Sequence, residues 1–265
     1  ARVSVSTVFL GALKLLLHRY SGETDVIVGM PTLGRPEPRF ETVVGYFVNM
    51  IAVRTRAFGD VDTVRFLSRL QATVAEGLDN AEYPFPALLG ALDIDRGQAR
   101  SPLTQVLFSY QNFIRPDDRA AADRASEGDH AMALVAGVNQ EGGHDLALDV
   151  YEADSGFRLI LSYDSDLFDA ETIRRAAQHY VRLLDGMASA PDAPLSAHVL
   201  LSEDERRLLE DWSAGPEARV AAESVVDLIA QQAMRTPDAP AVRFQDDELS
   251  YAALAEASAR LGGAL

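Results

Sequence analysis

Five histidines, an amide in an apolar segment and an arginine in a glycine-bearing loop are the side chains of this sequence with types suited to chemistry. His18, His130, His144, His179 and His198 stand apart along the chain, and no two are adjacent. The pair His144-Asp145 has the composition of a base and its orienting carboxylate, but neighbours along a strand point to opposite faces, so it is not read as a dyad. Each histidine is expected to be a surface or hydrogen-bonded residue. Asn49, in the apolar run Phe47-Val48-Asn49-Met50, offers an amide donor and an amide acceptor. In such surroundings it either bonds nearby backbone or faces a wet channel, because a buried unsatisfied amide is costly. Arg35 can pair with a carboxylate or a phosphate, and Gly34 beside it permits close backbone approach. Tyr83-Pro84-Phe85 is a rigid aromatic pair that can line a channel or pack on a core.

The elements that must position these residues follow from periodicity. Val8, Phe9, Ala12, Leu13, Leu16 and Tyr20 recur at helical spacing, and Gly22 suits a left-handed helix cap. Residues 25–29 read as a short core strand running into a loop that holds Gly29, Pro31, Gly34 and Arg35, and residues 46–56 as a second strand. Asp62 opens a helix with Val64, Leu67, Leu70, Val74 and Leu78 on one face. A short helix follows Pro84, and a strand is expected over 103–113. Residues 115–129 are charged and aperiodic and read as a surface loop, with another strand expected over 132–138. The alternation of Leu146, Leu148 and Val150 against Phe157, Leu159 and Leu161 predicts a hairpin. Asp169 is a plausible N-cap for a helix that carries Ile173, Ala177, Tyr180, Leu184 and Met187 on its face. Between 188 and 222 the composition turns to Ala, Pro, Ser and charge, with one helix opened by the capping box Ser202 and Glu205 and expected to dock through Leu209 and Trp212. A new helix starts near Ser224, a strand covers 241–244, and a last helix begins at Tyr251.

Bulk properties narrow the function. The 265 residues are 48% hydrophobic, ample for a packed core. A formal charge of −16 disfavours nucleic acid and anionic lipid surfaces. No apolar run reaches the roughly 20 residues of a membrane span, and the absence of cysteine excludes disulfides, thiolate metal sites and a cysteine nucleophile. A cytoplasmic location is expected. No metal-ligand pattern is present. The opening residues read as helix interior, so the sequence is expected to continue upstream.

Four stretches in order, VIVGMPTLGR (26–35), VGYFVNMIAVR (44–54), EYPFPALL (82–89) and ARSPLTQVLFSYQN (99–112), resemble successive signatures of the C-terminal lobe of condensation domains of nonribosomal peptide synthetases. HDLALDVYEADSGFRLILSYDSDLFDAETI (144–173) is similar to the hairpin and helix that close that lobe. LLSEDERRLLEDW (200–212) resembles the linker to an adenylation domain, and residues 224–265 resemble the opening of one. The resemblance implies an α/β, chloramphenicol-acetyltransferase-like lobe over 1–187, a mixed sheet with covering helices. A linker over 188–222 and a truncated adenylation start over 223–265 complete the expected organisation.

The implied chemistry is attack by the amine of an acceptor aminoacyl thioester on a donor acyl thioester, both carried on phosphopantetheine arms. The family's His-His-x-x-x-Asp-Gly motif does not occur in this sequence, so no catalytic residue is assigned and this chain alone is expected to be inactive. Asn49, Gly29, Pro31, Gly34, Arg35, Tyr83 and Phe85 are the expected channel or carrier contacts. The family commonly places His-Gln-Asp before this Pro-Phe, whereas Asn80-Ala81-Glu82-Tyr83 stands here. Expected partners are the N-terminal lobe, upstream and downstream carrier domains and the rest of the adenylation domain. No cofactor is expected on this chain, since ATP with Mg belongs to a complete adenylation domain. Leu261-Gly262-Gly263 matches the start of a carrier motif but lacks its serine. A noncatalytic platform that binds carriers or tailoring enzymes is the alternative, with heterocyclisation and epimerisation domains as nearer relatives of the same class.

Overall fold

The structure is a computed structural model that describes residues 3–35, 37–40, 42–56, 61–92, 103–111, 144–153, 156–215 and 224–263. It divides into two compact units, Ala1–Glu205 and Arg206–Leu265. The expected strand over 132–138, the charged loop over 115–129 and His130 lie outside the described residues.

In the first unit α1 (Val5–Ser21) is capped at one end by the Ser4 side chain, which accepts from the Thr7 N–H. At its other end Gly22, at φ 74°, donates its N–H to the His18 carbonyl. Then come β1 (Asp25–Thr32), a 3-10 turn (Pro38–Phe40), β2 (Asn49–Arg56), α2 (Thr63–Asp79), α3 (Phe85–Ala91) and β3 (Val106–Gln111). The hairpin β4 (Leu146–Ala153) and β5 (Gly156–Tyr163) leads into α4 (Ala170–Ser189), a 3-10 turn (Leu195–Ala197) and the start of α5 (Glu203–Ala214), most of which belongs to the second unit. Asp169 holds the N-cap position of α4 without a side-chain capping bond.

The sheet order is β2-β1-β3-β4-β5. β1 and β3 run parallel, as do β3 and β4, while the flanking pairs β1/β2 and β4/β5 are antiparallel. The mixed sheet expected from the resemblance is therefore present. Its first face carries Val26, Val28, Ile51, Val53, Phe108, Leu148 and Val150, which join buried residues of α1, α2 and α4 in one core. At roughly 25 cal/mol per Å² of apolar area removed from water, this layer is the main source of the fold's stability. The opposite face carries none of α1, α2 or α4.

Three expectations need correction. Gly29 and Pro31 lie within β1, not in the loop after it, because pairing with β2 continues through Thr32↔Asn49. The second strand starts at Asn49 instead of residue 46, so Asn49 is a strand-end residue. The stretch 188–205, read as linker, belongs to the first unit. Leu195 and His198 are buried there, and the Thr63 and Val64 N–H groups donate to the Ala193 and Pro191 carbonyls.

The second unit contains α6 (Val225–Arg235), the hairpin β6 (Pro240–Phe244) and β7 (Asp247–Ser250), and α7 (Tyr251–Gly262). Ser224 and Ser250 cap the two helices by accepting from the N–H groups of Asp227 and Ala253. The Ser202–Glu205 capping box forms as read: Oγ accepts from the Glu205 N–H at 3.1 Å, and Oε2 accepts from the Ser202 N–H at 2.7 Å. None of the residues of α5 is buried, and Trp212 is 70% exposed.

Candidate functional site

The carboxyl end of β1 opens into a groove of about 720 Å³, lined among others by Thr32, Gly34, Arg35, Phe47, Asn49 and Ala81. Ligands of α/β sheets commonly bind beyond the carboxyl ends of parallel strands, and this volume is of ligand size. The groove is built by two braces, each centred on a residue that the sequence singled out.

The first brace is Asn49. Its Nδ2 donates to the carbonyls of Ala81 at 2.7 Å and Tyr83 at 2.8 Å, and its Oδ1 accepts from the Phe85 N–H at 3.2 Å. Thr32, its cross-strand partner, donates from Oγ1 to the Asn49 carbonyl at 3.1 Å. Both amide hydrogens and the amide oxygen are thus engaged by the turn between α2 and α3. Of the two readings open for Asn49, the geometry is that of bonding nearby backbone. Tyr83 and Phe85 enter the site through their backbone groups, while the Tyr83 ring is exposed.

The second brace is Arg35. Its guanidinium donates to the Phe40 carbonyl, to the Val43 carbonyl at 2.9 Å and to the Gly45 carbonyl at 3.5 Å. It also lies 4.3 Å from the Phe47 ring centroid, and Phe40 packs beside Phe47 at 5.8 Å. These contacts turn Arg35 onto its own loop. Gly34 is required there: its φ is +61°, and a Cβ at this position would stand 1.7 Å from the Phe47 carbonyl oxygen. Val44 and Tyr46, in the same loop, are almost fully exposed.

Gly29 and Pro31 do not line the groove. Gly29 lets β1 approach its neighbours, since a Cβ would meet Leu107 Cδ2 and Met50 Sδ at 2.9 Å each. Pro31 lies opposite Met50 in the β1/β2 pair.

The described histidines are all bonded. His18 and His144 contact the carbonyls of Glu23 and Thr104 through Nδ1. His179, buried on α4, bonds the Tyr20 hydroxyl through Nδ1 at 2.7 Å and Glu205 through Nε2 at 2.9 Å. His198 lies 2.6 Å from the Thr63 hydroxyl, and burial, then Arg19, lowers its pKa. Glu205 is held down to about 2, first by the Ser202 backbone N–H and hydroxyl and then by His179. Among the described residues no group of three or more His, Asp or Glu side chains is placed to hold a metal, and no helix is long and apolar enough to cross a membrane.

Sequence reasoning missed Lys14. It is wholly buried on α1, and Nζ donates to the carbonyls of Val53 at 2.7 Å and Val26 at 3.0 Å. Burial lowers its pKa to about 7, against a smaller opposing effect of Asp25. Nothing local marks such a residue, since its partners stand 12 and 39 positions away. A further cavity of about 560 Å³ is lined by Leu13, Leu16, Leu148, Leu161, Ile173 and other, mostly apolar, residues of α1, the sheet and α4.

Comparison with known proteins adds to this geometry. Residues 1–210 match the Condensation domain family. Polyketide synthase PksN of Bacillus subtilis (strain 168) is 39% identical over 259 residues, covering 97% of this chain and 5% of that protein. Bacitracin synthase 3 of Bacillus licheniformis is 33% identical over 247 residues, covering 93% and 4%. The chain therefore spans a small part of these relatives. A holo four-domain nonribosomal peptide synthetase bound to AMP and glycine superposes with a TM-score of 0.71 at 20% identity, over 96% of this chain and 20% of that one. The X-domain in complex with OxyB from teicoplanin biosynthesis gives 0.64 at 25% identity, over 77% and 44%.

Proposed function

Because the chain belongs to the condensation-domain family, we propose that it serves a peptide or mixed polyketide–peptide synthetase in forming an amide bond. The acceptor amine attacks the donor thioester carbonyl, the C–N bond forms, the C–S bond breaks, and the thiol leaves with the proton. The observation that carries this reading is the family match over residues 1–210, most of the chain.

Within it, residues 1–187 with the packed stretch 188–205 form the C-terminal lobe of the condensation domain, and 223–265 begin an adenylation domain. Support for the second assignment is that likeness to multidomain synthetases covers 96–97% of the chain, past residue 210. The groove at the carboxyl end of β1 receives the phosphopantetheine arm of a carrier domain. Asn49 and Arg35 hold its walls, and exposed Val44 and Tyr46 face a partner domain. The N-terminal lobe supplies the histidine motif that this sequence lacks. Upstream and downstream carrier domains and the rest of the adenylation domain, with ATP and Mg, complete the assembly.

The test is a condensation assay with two loaded carrier domains. The complete synthetase should form the amide, and the 265-residue chain alone should give no product above background. Turnover by the chain alone would overturn the assignment of the chemistry to a lobe outside it. The likeness to an X-domain solved with OxyB supports a second reading, a noncatalytic docking platform. A complete synthetase that binds partners yet forms no amide at this domain would favour that reading.

A further inference from the structure

The sheet face opposite α1, α2 and α4 is built unlike a core. Leu107, Ala147 and Ser162 form one cross-strand row, Ser109, Asp149 and Ile160 the next, and Gln111, Tyr151 and Arg158 the third. A face meant to pack dry would alternate apolar residues with the polar ones of a solvated face. Here polar groups sit half-buried on central strands. Ser109 hydrogen-bonds Asp149 and accepts from Gln111 Nε2 at 3.1 Å.

Asp149 is the anomaly in this row. Its carboxylate is half-buried, its hydrogen-bond partner is Ser109, and no salt bridge joins it to Arg158 or to any other base among the described residues. A carboxylate removed from water without a cation costs free energy, and burial accordingly raises its pKa against the smaller opposing effect of Ser109. The row lies near the middle of the parallel β3/β4 ladder, two residues before its last pair, Gln111↔Tyr151.

We infer that Asp149, oriented by Ser109, binds the amino group of the acceptor substrate. A primary ammonium supplies the cation that Asp149 lacks among the described residues, and after loss of a proton the neutral amine still donates a hydrogen bond to the same oxygen. Asp149 thus selects amine-bearing acceptors and places the nitrogen. This inference rests on the amide-forming reading above.

Asp149→Asn keeps shape and hydrogen bonding while removing the charge. In the complete synthetase it should raise KM for the aminoacyl acceptor about tenfold or more, the scale of a hydrogen bond to a charged group. KM for the donor should stay within about twofold. Melting temperature should hold or rise, because a half-buried charge with no base beside it among the described residues is gone; a structural role predicts the reverse. Ser109→Ala should give a smaller effect in the same direction.

On the 265-residue chain, calorimetric titration should show glycyl-pantetheine amide bound several-fold more tightly than acetyl-pantetheine, which lacks the amine. That preference should vanish in Asp149→Asn. Equal binding of both probes by the unmodified chain, an unchanged acceptor KM in the variant, or loss of folding by the variant would each overturn the inference. If the unmodified synthetase forms no amide, the reading above fails, while the two-probe titration still decides whether Asp149 recognises an amine.

Discussion

Asn49 Nδ2 donates to the Tyr83 carbonyl at 2.8 Å, joining the first residue of β2 to the turn that precedes α3 across 34 positions of sequence. With the bonds to Ala81 and Phe85, this one side chain holds one wall of the groove.

The first expected outcome concerns that clamp. Asn49→Ala removes three hydrogen bonds, each contributing about 0.5–1.5 kcal/mol net, so stability should fall by about 2–3 kcal/mol in urea denaturation. Asn49→Asp should not rescue it: the carboxylate still accepts from the Phe85 N–H but sets an oxygen against the Ala81 and Tyr83 carbonyls. A variant of unchanged stability that abolished amide formation in the synthetase would instead make Asn49 a direct substrate contact.

Gly34→Ala tests the second brace. The new methyl would collide with the Phe47 backbone oxygen, and alanine disfavours φ +61°. The loop must then move, and Arg35 must give up its stacking on Phe47. A loss of about 1–3 kcal/mol is expected, together with slower amide formation by the complete synthetase. Wild-type stability in this variant would show that the loop has another accessible path.

Lys14 makes stability depend on pH. Its pKa falls from 10.5 in the unfolded chain to about 7 in the folded one. Below pH 7 both states hold the proton and the group adds no slope. Between 7 and 10.5 the unfolded state binds more protons than the folded state, so stability rises with pH, by at most about 1.4 kcal/mol per unit. Comparing urea midpoints from pH 6.5 to 9.5 in the unmodified chain and in Lys14→Met isolates this effect, because other titrations are common to both. The difference between the two should change steadily across that range; a constant difference would mean that Lys14 keeps its proton when buried.

Much of the fold is legible in the sequence because it is local. The apolar spacing of α1, the left-handed Gly22, the Ser202–Glu205 capping box and the β4/β5 hairpin rest on residues a few positions apart, and each element forms where it was read. The resemblance that led to the condensation family likewise lies in contiguous signatures. Only the tertiary structure decided what Asn49, Arg35 and Lys14 do. Their side chains have several hydrogen-bonding alternatives, and the choice depends on which carbonyls the fold delivers: Ala81 and Tyr83 to Asn49, Phe40 and Val43 to Arg35, Val26 and Val53 to Lys14. The stretch 188–205 shows the same limit. Its composition is that of a linker, yet Thr63, 135 residues before His198, supplies the buried partner that ties it to the lobe. Composition measures what a segment can bury by itself, whereas docking depends on polar partners and apolar surface contributed from far along the chain.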